Sequence, residues 1–537
     1  MEGFARRHLD ERELGPYLAR AAERLVEIGR ASSELALLRH ALRAPGKLPP
    51  SYLRRAKALA EDGCDIETAR AALRALRSAL EGASKPAEQR EYTNLAGSEL
   101  AVLDRLDELL RPGTPAPPVP GRLLYVLHHS RPWLSNGYAT RGHGLAQGMI
   151  AAGIDLVCAT RPGFPLDVRK ELETAPESDS LDAVDYLRAL EPRRSGPGRS
   201  RRYLLDAADV LERRIRECRP QAVMAASNYV AALPALIAAR RTGLPFAYEV
   251  RGFWEITEVS REPERAETFT HHLKLRLEAK TAAAADRVFT LSTPMAQELT
   301  RRGVEAERIA LLPNSCDPEH FRPQPRDSDL ARRLNIPRDV PVIGYIGSFV
   351  PYEGLDDLTE ACAALRRQGH AFRLVLVGAD DGLVHERITE IAHAQGLADW
   401  LILPGRVPHE EVSAWYSLID IAPFPRKPQP VTELVTPLKP LEAMAMEKAV
   451  VMSSVGAMAE MVRDGETGLV FDKGNPAALA GALARLVGDA QLRARLGRNA
   501  RAFVAAERTW VTMGERVRGW LQSLPAARRH DLQGDQA

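Results

Sequence analysis

The sequence predicts an α/β protein with two Rossmann-like domains, each built on a parallel sheet, behind an all-α N-terminal bundle. Three observations carry that prediction. From Leu9 to Leu110 the chain is rich in Ala, Leu, Arg and Glu with apolar residues at helical spacing, as in ARAALRALRSALEG. A Pro/Gly-rich stretch, RPGTPAPPVPG (Arg111–Gly121), then interrupts the pattern and reads as an extended linker. Beyond it, short apolar runs alternate with helical stretches, which is how parallel strands covered on both faces appear in sequence.

In chain order, LARAAERLVEIGRASSELALLRHAL and the segments after Pro49–Pro50 and Pro86 predict three to five helices over residues 1–112. Residues 113–120 are the linker, and the bundle should be a separable module with a partner-docking or oligomerising role. LLYVLHH, GIDLVCAT, AVMAAS, PFAYEV and RVFTLS are the strands of a first Rossmann-like domain, residues 121–320. Within it Thr174–Arg202 has little periodicity and reads as a mobile, solvated loop. VIGYIGS, FRLVLVG, WLILPG, IDIAPFP, KAVVMSS and GLVF supply a second such domain, residues 321–505, followed by a C-terminal helix and tail, 506–537. A length of 537 residues is too great for one ordinary core and fits three.

Composition excludes several classes. A formal net charge of +2 argues against a nucleic-acid partner, and 45% apolar with 27% charged residues are globular values. No apolar leader opens the chain and no run is long enough to span a bilayer, so a cytoplasmic protein is expected. The five scattered cysteines predict free thiols rather than a disulfide or zinc framework.

The densest chemistry lies in TELVTPLKPLEAMAM (Thr432–Met446). Thr436 can cap a helix whose first position suits Pro437, so the helix is expected to begin there. Lys439 and Glu442 lie three apart and share one face; Leu438, Leu441, Met444 and Ala445 take the other. A lysine at a helix start beside a carboxylate suits a nucleotide diphosphate, with phosphates on Lys439 and ribose hydroxyls on Glu442. A capped amphipathic helix with an exposed ion pair is the plainer alternative. Arg426 ends the preceding strand, and Arg406 follows an earlier one.

This segment resembles the donor domain of family 4 glycosyltransferases, a GT-B fold, and most closely a bacterial polysaccharide-biosynthesis subgroup with a TPLKPLEAMA motif. SNGYATRGHGL (Ser135–Leu145), ATRPGFPLD (Ala159–Asp167), YEVRGFWE (Tyr248–Glu255), AADRVFTLS (Ala284–Ser292), LLPNSCD (Leu311–Asp317) and GRVPHEEV (Gly405–Val412) extend the likeness from about Gly121 to Trp510. Two departures stand out. Where the family carries an arginine and a lysine for the donor diphosphate, this chain has Ser348 and Glu353, which leaves Arg406, Arg426 and Lys439 as substitutes. The family's two glutamates enclose seven residues, whereas Glu433 and Glu442 enclose eight, with Leu434 in register.

The resemblance implies a retaining transfer of a sugar from a nucleotide-diphosphate donor to a glycan or lipid-linked acceptor, without a metal. Lys439, Arg426 and Arg251 are the catalytic candidates, with Arg251 where relatives often carry a histidine. Gly137, Gly347, Arg406, Glu433, Leu438 and Glu442 are donor-site candidates. Asn136–Gly137 is expected to form a positive-φ turn. Arg141, Trp254 and Glu255 are placed on the acceptor side; His128, His129 and His143 read as packing or surface histidines. Peripheral contact with the inner membrane face and a protein partner at the N-terminal helices complete the expectation. The alternatives are a sugar-nucleotide epimerase of the same fold and a non-catalytic scaffold.

Overall fold

The computed structural model describes residues 31–43, 48–196, 199–379, 382–408 and 411–525, together with Leu18 and Ala21. Expectations for the start of the bundle and for the terminal tail lie outside these residues.

The first sheet has eight strands in the order β3-β4-β2-β1-β5-β6-β7-β8. They are β1 (Arg122–Leu127), β2 (Asp155–Thr160), β3 (Ser178–Leu181), β4 (Val184–Leu187), β5 (Ala222–Ala226), β6 (Phe246–Val250), β7 (Arg287–Thr290) and β8 (Ile309–Leu311). Every pairing is parallel except β3 with β4. That hairpin corrects the expected mobile loop. Val184 and Tyr186 turn into the core, and Arg188 is buried with its Nη1 2.6 Å from Asp179, so a polar-looking segment is anchored by two apolar residues and one ion pair.

The second sheet has the order β11-β10-β9-β12-β13-β14, wholly parallel: β9 (Val342–Ile346), β10 (Arg373–Val377), β11 (Leu401–Gly405), β12 (Ile421–Phe424), β13 (Ala449–Ser453) and β14 (Leu469–Phe471). The order reverses at β9 and β12, the switch point at which open α/β sheets gather ligands beyond the strands' carboxyl ends. The C-terminal helix Trp510–Ser523 crosses back onto the first domain, where Met513, Val517 and Leu521 enter its core. The crossing is close: a Cβ on Gly148 would lie 2.0 Å from the Trp510 carbonyl oxygen, and one on Gly514 2.1 Å from that of Gly148.

Both expected prolines open helices, Pro50–Asp62 and Pro86–Gly97. The bundle is not set apart, however. Ile66, Leu73, Leu100, Leu103 and Leu106 share one apolar cluster with Tyr203, Leu204, Tyr229 and Leu233 of the first Rossmann domain. The linker is tied down as well, since Gly113 N–H donates to the Arg240 carbonyl and Val119 N–H to that of Arg219, both at 2.8 Å. The expected separable module thus shares a continuous core with the first Rossmann-like domain, in which apolar side chains facing the sheet's helices are buried.

Candidate functional site

The site is built at the carboxyl ends of β9 and β12 and on the helix Lys439–Ala445. That helix starts two residues later than the sequence predicts. Thr436 is engaged elsewhere: Asn314 Nδ2 donates to its carbonyl at 2.7 Å and its hydroxyl at 3.2 Å, which joins the two domains. Leu438 therefore stands at the N-cap without a side-chain bond, and Pro440 rather than Pro437 takes an early helical position.

Lys439 lies over Gly347. A Cβ at Gly347, whose φ is +155°, would fall 2.1 Å from Lys439 Cε, so the glycine provides the space the lysine occupies. Lys439 Nζ donates to Tyr345 Oη at 2.7 Å and sits 4.0 Å from Glu353 Oε1. Arg426 forks onto the same carboxylate, Nη2 to Oε1 at 2.7 Å and Nε to Oε2 at 3.2 Å, and gives Nη1 to the Val435 carbonyl at 3.0 Å. Glu353, only 3% exposed, is thus an internal counterion for both cations. Burial alone would raise its carboxyl; Arg426 and Lys439 hold it below the ordinary range. Burial draws the Lys439 ammonium down, against Glu353 and with Arg426 adding to the fall.

Glu442 faces the same space. Among the described residues the one hydrogen bond to its carboxylate is from Tyr416 Oη at 3.5 Å, which leaves most of its accepting capacity unused. Burial raises its carboxyl above the ordinary range, opposed by Lys439, Tyr416 and Arg131. Arg131 belongs to the loop after β1, so the first domain presents a cation to the second domain's carboxylate.

The remaining candidates fall elsewhere. Arg141 and Arg251 are buried, 2% and 4% exposed, and their charge is met by Glu249 at 2.8 Å in each case. Arg141 also donates to the Leu312 and Pro313 carbonyls and to Asn314 Oδ1, and Arg251 to the Tyr138 carbonyl and Tyr125 Oη. Both pin the carboxyl end of the first sheet through these bonds. Glu255 is likewise buried and accepts from Arg302 Nη1 at 2.6 Å. Glu433 lies on the short helix Pro430–Leu434 and accepts from Gly456 N–H at 2.7 Å and Lys473 Nζ at 2.5 Å. Arg406 is exposed and without an ion-pair partner among the described residues. Gly137 opens the helix Gly137–Ala151, and its positive-φ turn is not formed because Asn136 caps that helix, accepting from Ala139 N–H at 2.9 Å.

Trp254 is half-buried, with ring centroids 4.7 Å from His128, 5.3 Å from Tyr138 and 6.1 Å from His129. Among the described residues the buried Nδ1 atoms of both histidines and Trp254 Nε1 have no hydrogen-bond partner. Burial holds His128 well below the usual histidine range and His129 at about 4, so both rings are neutral near neutral pH. Sequence reasoning singled out Lys439, Glu442 and Arg426; it passed over Tyr345, Tyr416 and Arg131, for which no local motif signals a role.

Two Rossmann-like α/β domains, with a cation and carboxylate cluster at the switch point of the second sheet, form a GT-B architecture. Residues 136–315 match the glycosyl transferase 4-like domain and residues 327–503 the glycosyl transferases group 1 family, which places both α/β domains among family 4-like glycosyltransferases. The chain is 34% identical over 261 residues to D-inositol 3-phosphate glycosyltransferase of Acidothermus cellulolyticus, covering 47% of this chain and 56% of that protein. It is 30% identical to a GDP-mannose-dependent alpha-(1-6)-phosphatidylinositol monomannoside mannosyltransferase of Mycobacterium tuberculosis, covering 42% of this chain and 58% of that protein. The chain thus spans little more than half the length of these relatives. Among solved structures it shares the fold of sucrose-phosphate synthase from Thermosynechococcus elongatus (TM-score 0.58, 22% identity, 75% of this chain and 98% of that one). It also shares that of Anabaena HepE in complex with UDP (TM-score 0.57, 19% identity, 75% and 100%).

Proposed function

We propose that the protein is a retaining glycosyltransferase that moves a sugar from a nucleotide diphosphate to a hydroxyl of a glycan or lipid-linked acceptor, in cell-surface polysaccharide synthesis. The observation that carries this reading is the convergence of Lys439, Arg426 and the largely unbonded Glu442 at the switch point of the second sheet. As the bond from the sugar to the diphosphate breaks, negative charge grows on the leaving oxygen, and cations already fixed in place stabilise it without reorganisation. The acceptor oxygen bonds to the same face of the sugar carbon and its proton leaves with the diphosphate. A hydroxylated ring or lipid-linked glycan as acceptor is consistent with the names of the relatives. We place the reaction in the cytoplasm, at the inner face of the membrane; among the described residues no helix is long and apolar enough to cross a bilayer.

The test is product formation from UDP- and GDP-sugars with a panel of hydroxylated acceptors, the anomeric configuration being read by NMR. An epimerase would instead convert donor alone to an isomer. Because Lys439 and Arg426 supply the positive charge, turnover should survive excess chelator; a loss restored by Mg²⁺ or Mn²⁺ would count against this assignment. Glu442 is assigned to ribose hydroxyls that do not react, so Glu442→Ala should weaken nucleotide binding by about 1.5–3 kcal/mol. Calorimetry checks this, and unchanged affinity would remove the ribose contact.

A further inference from the structure

A carboxylate stands beside the place assigned to the diphosphate, and its geometry shows that it organises the cations there. Glu353 ends the turn Pro351–Glu353 that follows β9. It takes the Nε and Nη2 edge of Arg426, while Nη1 is held by the Val435 carbonyl and Lys439 Nζ by Tyr345 Oη. Gly354, in the left-handed region at φ +72°, closes the turn where a Cβ would lie 2.0 Å from the Pro425 carbonyl oxygen, so the loop carrying Glu353 is packed tightly against the strand end carrying Arg426. Take the carboxylate away, and the buried Arg426 and the part-exposed Lys439 face each other with Glu442 as the one carboxylate left acting on the lysine. A buried charge stripped of its partner is costly, and a lysine can relieve the cost by giving up its proton.

We propose that Glu353 is a positioning residue that fixes Arg426 and Lys439 as a pair of cations for the diphosphate of the donor. The inference rests on the donor-site reading above. It explains why a glutamate is tolerated where the family resemblance implies a lysine: the second cation comes from Lys439 on another element, and the carboxylate aligns it. The charged and titratable groups facing Lys439 are Tyr345 from β9, Glu353 from the turn, Arg426 from the end of β12 and Glu442 from its own helix. Tyr416 and Arg131 act on Glu442 in turn. Glu353 is the foremost of the groups that keep Lys439 protonated. Without its charge the lysine titrates lower still, so cation and nucleotide affinity should be present at low pH and be lost as pH rises.

The experiment is calorimetric titration of the full chain with UDP and with GDP from about pH 6.5 to about pH 9 for wild type, Glu353→Gln and Glu353→Asp. Glu353→Gln should bind about 10-fold more weakly or worse at the alkaline end, with the deficit growing as pH rises, and Glu353→Asp should restore the flatter profile. Equal affinity in Glu353→Gln and wild type at every pH would overturn the proposal. So would a deficit independent of pH, the mark of a merely structural role. Wild type binding neither nucleotide would instead overturn the donor-site reading. Acetylation of Lys439 by acetic anhydride, followed by mass spectrometry across the same pH range, then tests Glu353 without any nucleotide. The reactive form should appear at lower pH in Glu353→Gln, and an unshifted profile overturns the proposal there too.

Discussion

Lys439→Ala is expected to lower kcat by about 10²–10³-fold, the loss seen when one preorganised donor to a developing charge is removed. The size follows from where the ammonium sits. Tyr345 Oη at 2.7 Å and the space over Gly347 fix its position, and with Glu353 at 4.0 Å it is not fully neutralised, because that carboxylate is shared with Arg426. Its interaction strengthens as charge moves onto the leaving diphosphate, so the effect should fall on kcat more than on nucleotide affinity. Single-turnover rates and nucleotide titrations separate the two. Melting must match wild type, since alanine leaves a gap beside Tyr345. If Lys439→Ala weakened binding and spared kcat, the lysine would be a ground-state contact and Arg426 would be left as the stabilising cation.

The contrast between what the sequence made visible and what it hid follows from the range of the interactions. The central strands of the second sheet were legible because strands buried on both faces must be apolar throughout, as in VIGYI and AVVMS. β3 and β4 were not, since SDSL and VDYL lie at the sheet edge and need only alternate residues inside. Lys439 and Glu442 share a short helix, so their proximity is a matter of local spacing. The partner that neutralises Arg141 was hidden because Glu249 lies 108 positions away and no local pattern announces a buried pair. The late start of the Lys439 helix has a similar cause: Thr436 is claimed by Asn314, 122 positions away. Glu353 was noticed in the sequence only as a missing lysine, and the contacts that give it a role are those with Arg426 and Lys439, far along the chain.

A chain beginning at Gly121 is expected to be insoluble or to aggregate with exposed apolar surface. Leu73, Leu100 and Leu103 are at most 6% exposed and sit in the cluster that covers the helices Tyr203–Cys218 and Tyr229–Arg241. Fully burying a leucine is worth about 1.5–3 kcal/mol, and a domain's whole stability is of order 5–15 kcal/mol, so losing three such contacts and their neighbours removes most of the margin. Polar ties go as well. Tyr229 Oη donates to Glu99 at 3.0 Å, and Cys64 Sγ to the Glu267 carbonyl at 2.9 Å. Gly97 packs so close to Arg202 that a Cβ there would lie 2.0 Å from its Cγ, which argues for a fitted surface rather than loose docking. Expression yield, light scattering and hydrophobic-dye binding read the outcome. The substitution Leu100→Asp in the full chain provides a gentler version of the same test, since a buried unpaired carboxylate should lower the melting temperature of the first domain as well as that of the bundle. A truncated chain that stayed monomeric, melted cooperatively and bound nucleotide as the full chain does would show that the Rossmann domains hold together without the bundle and that the shared cluster contributes little to them.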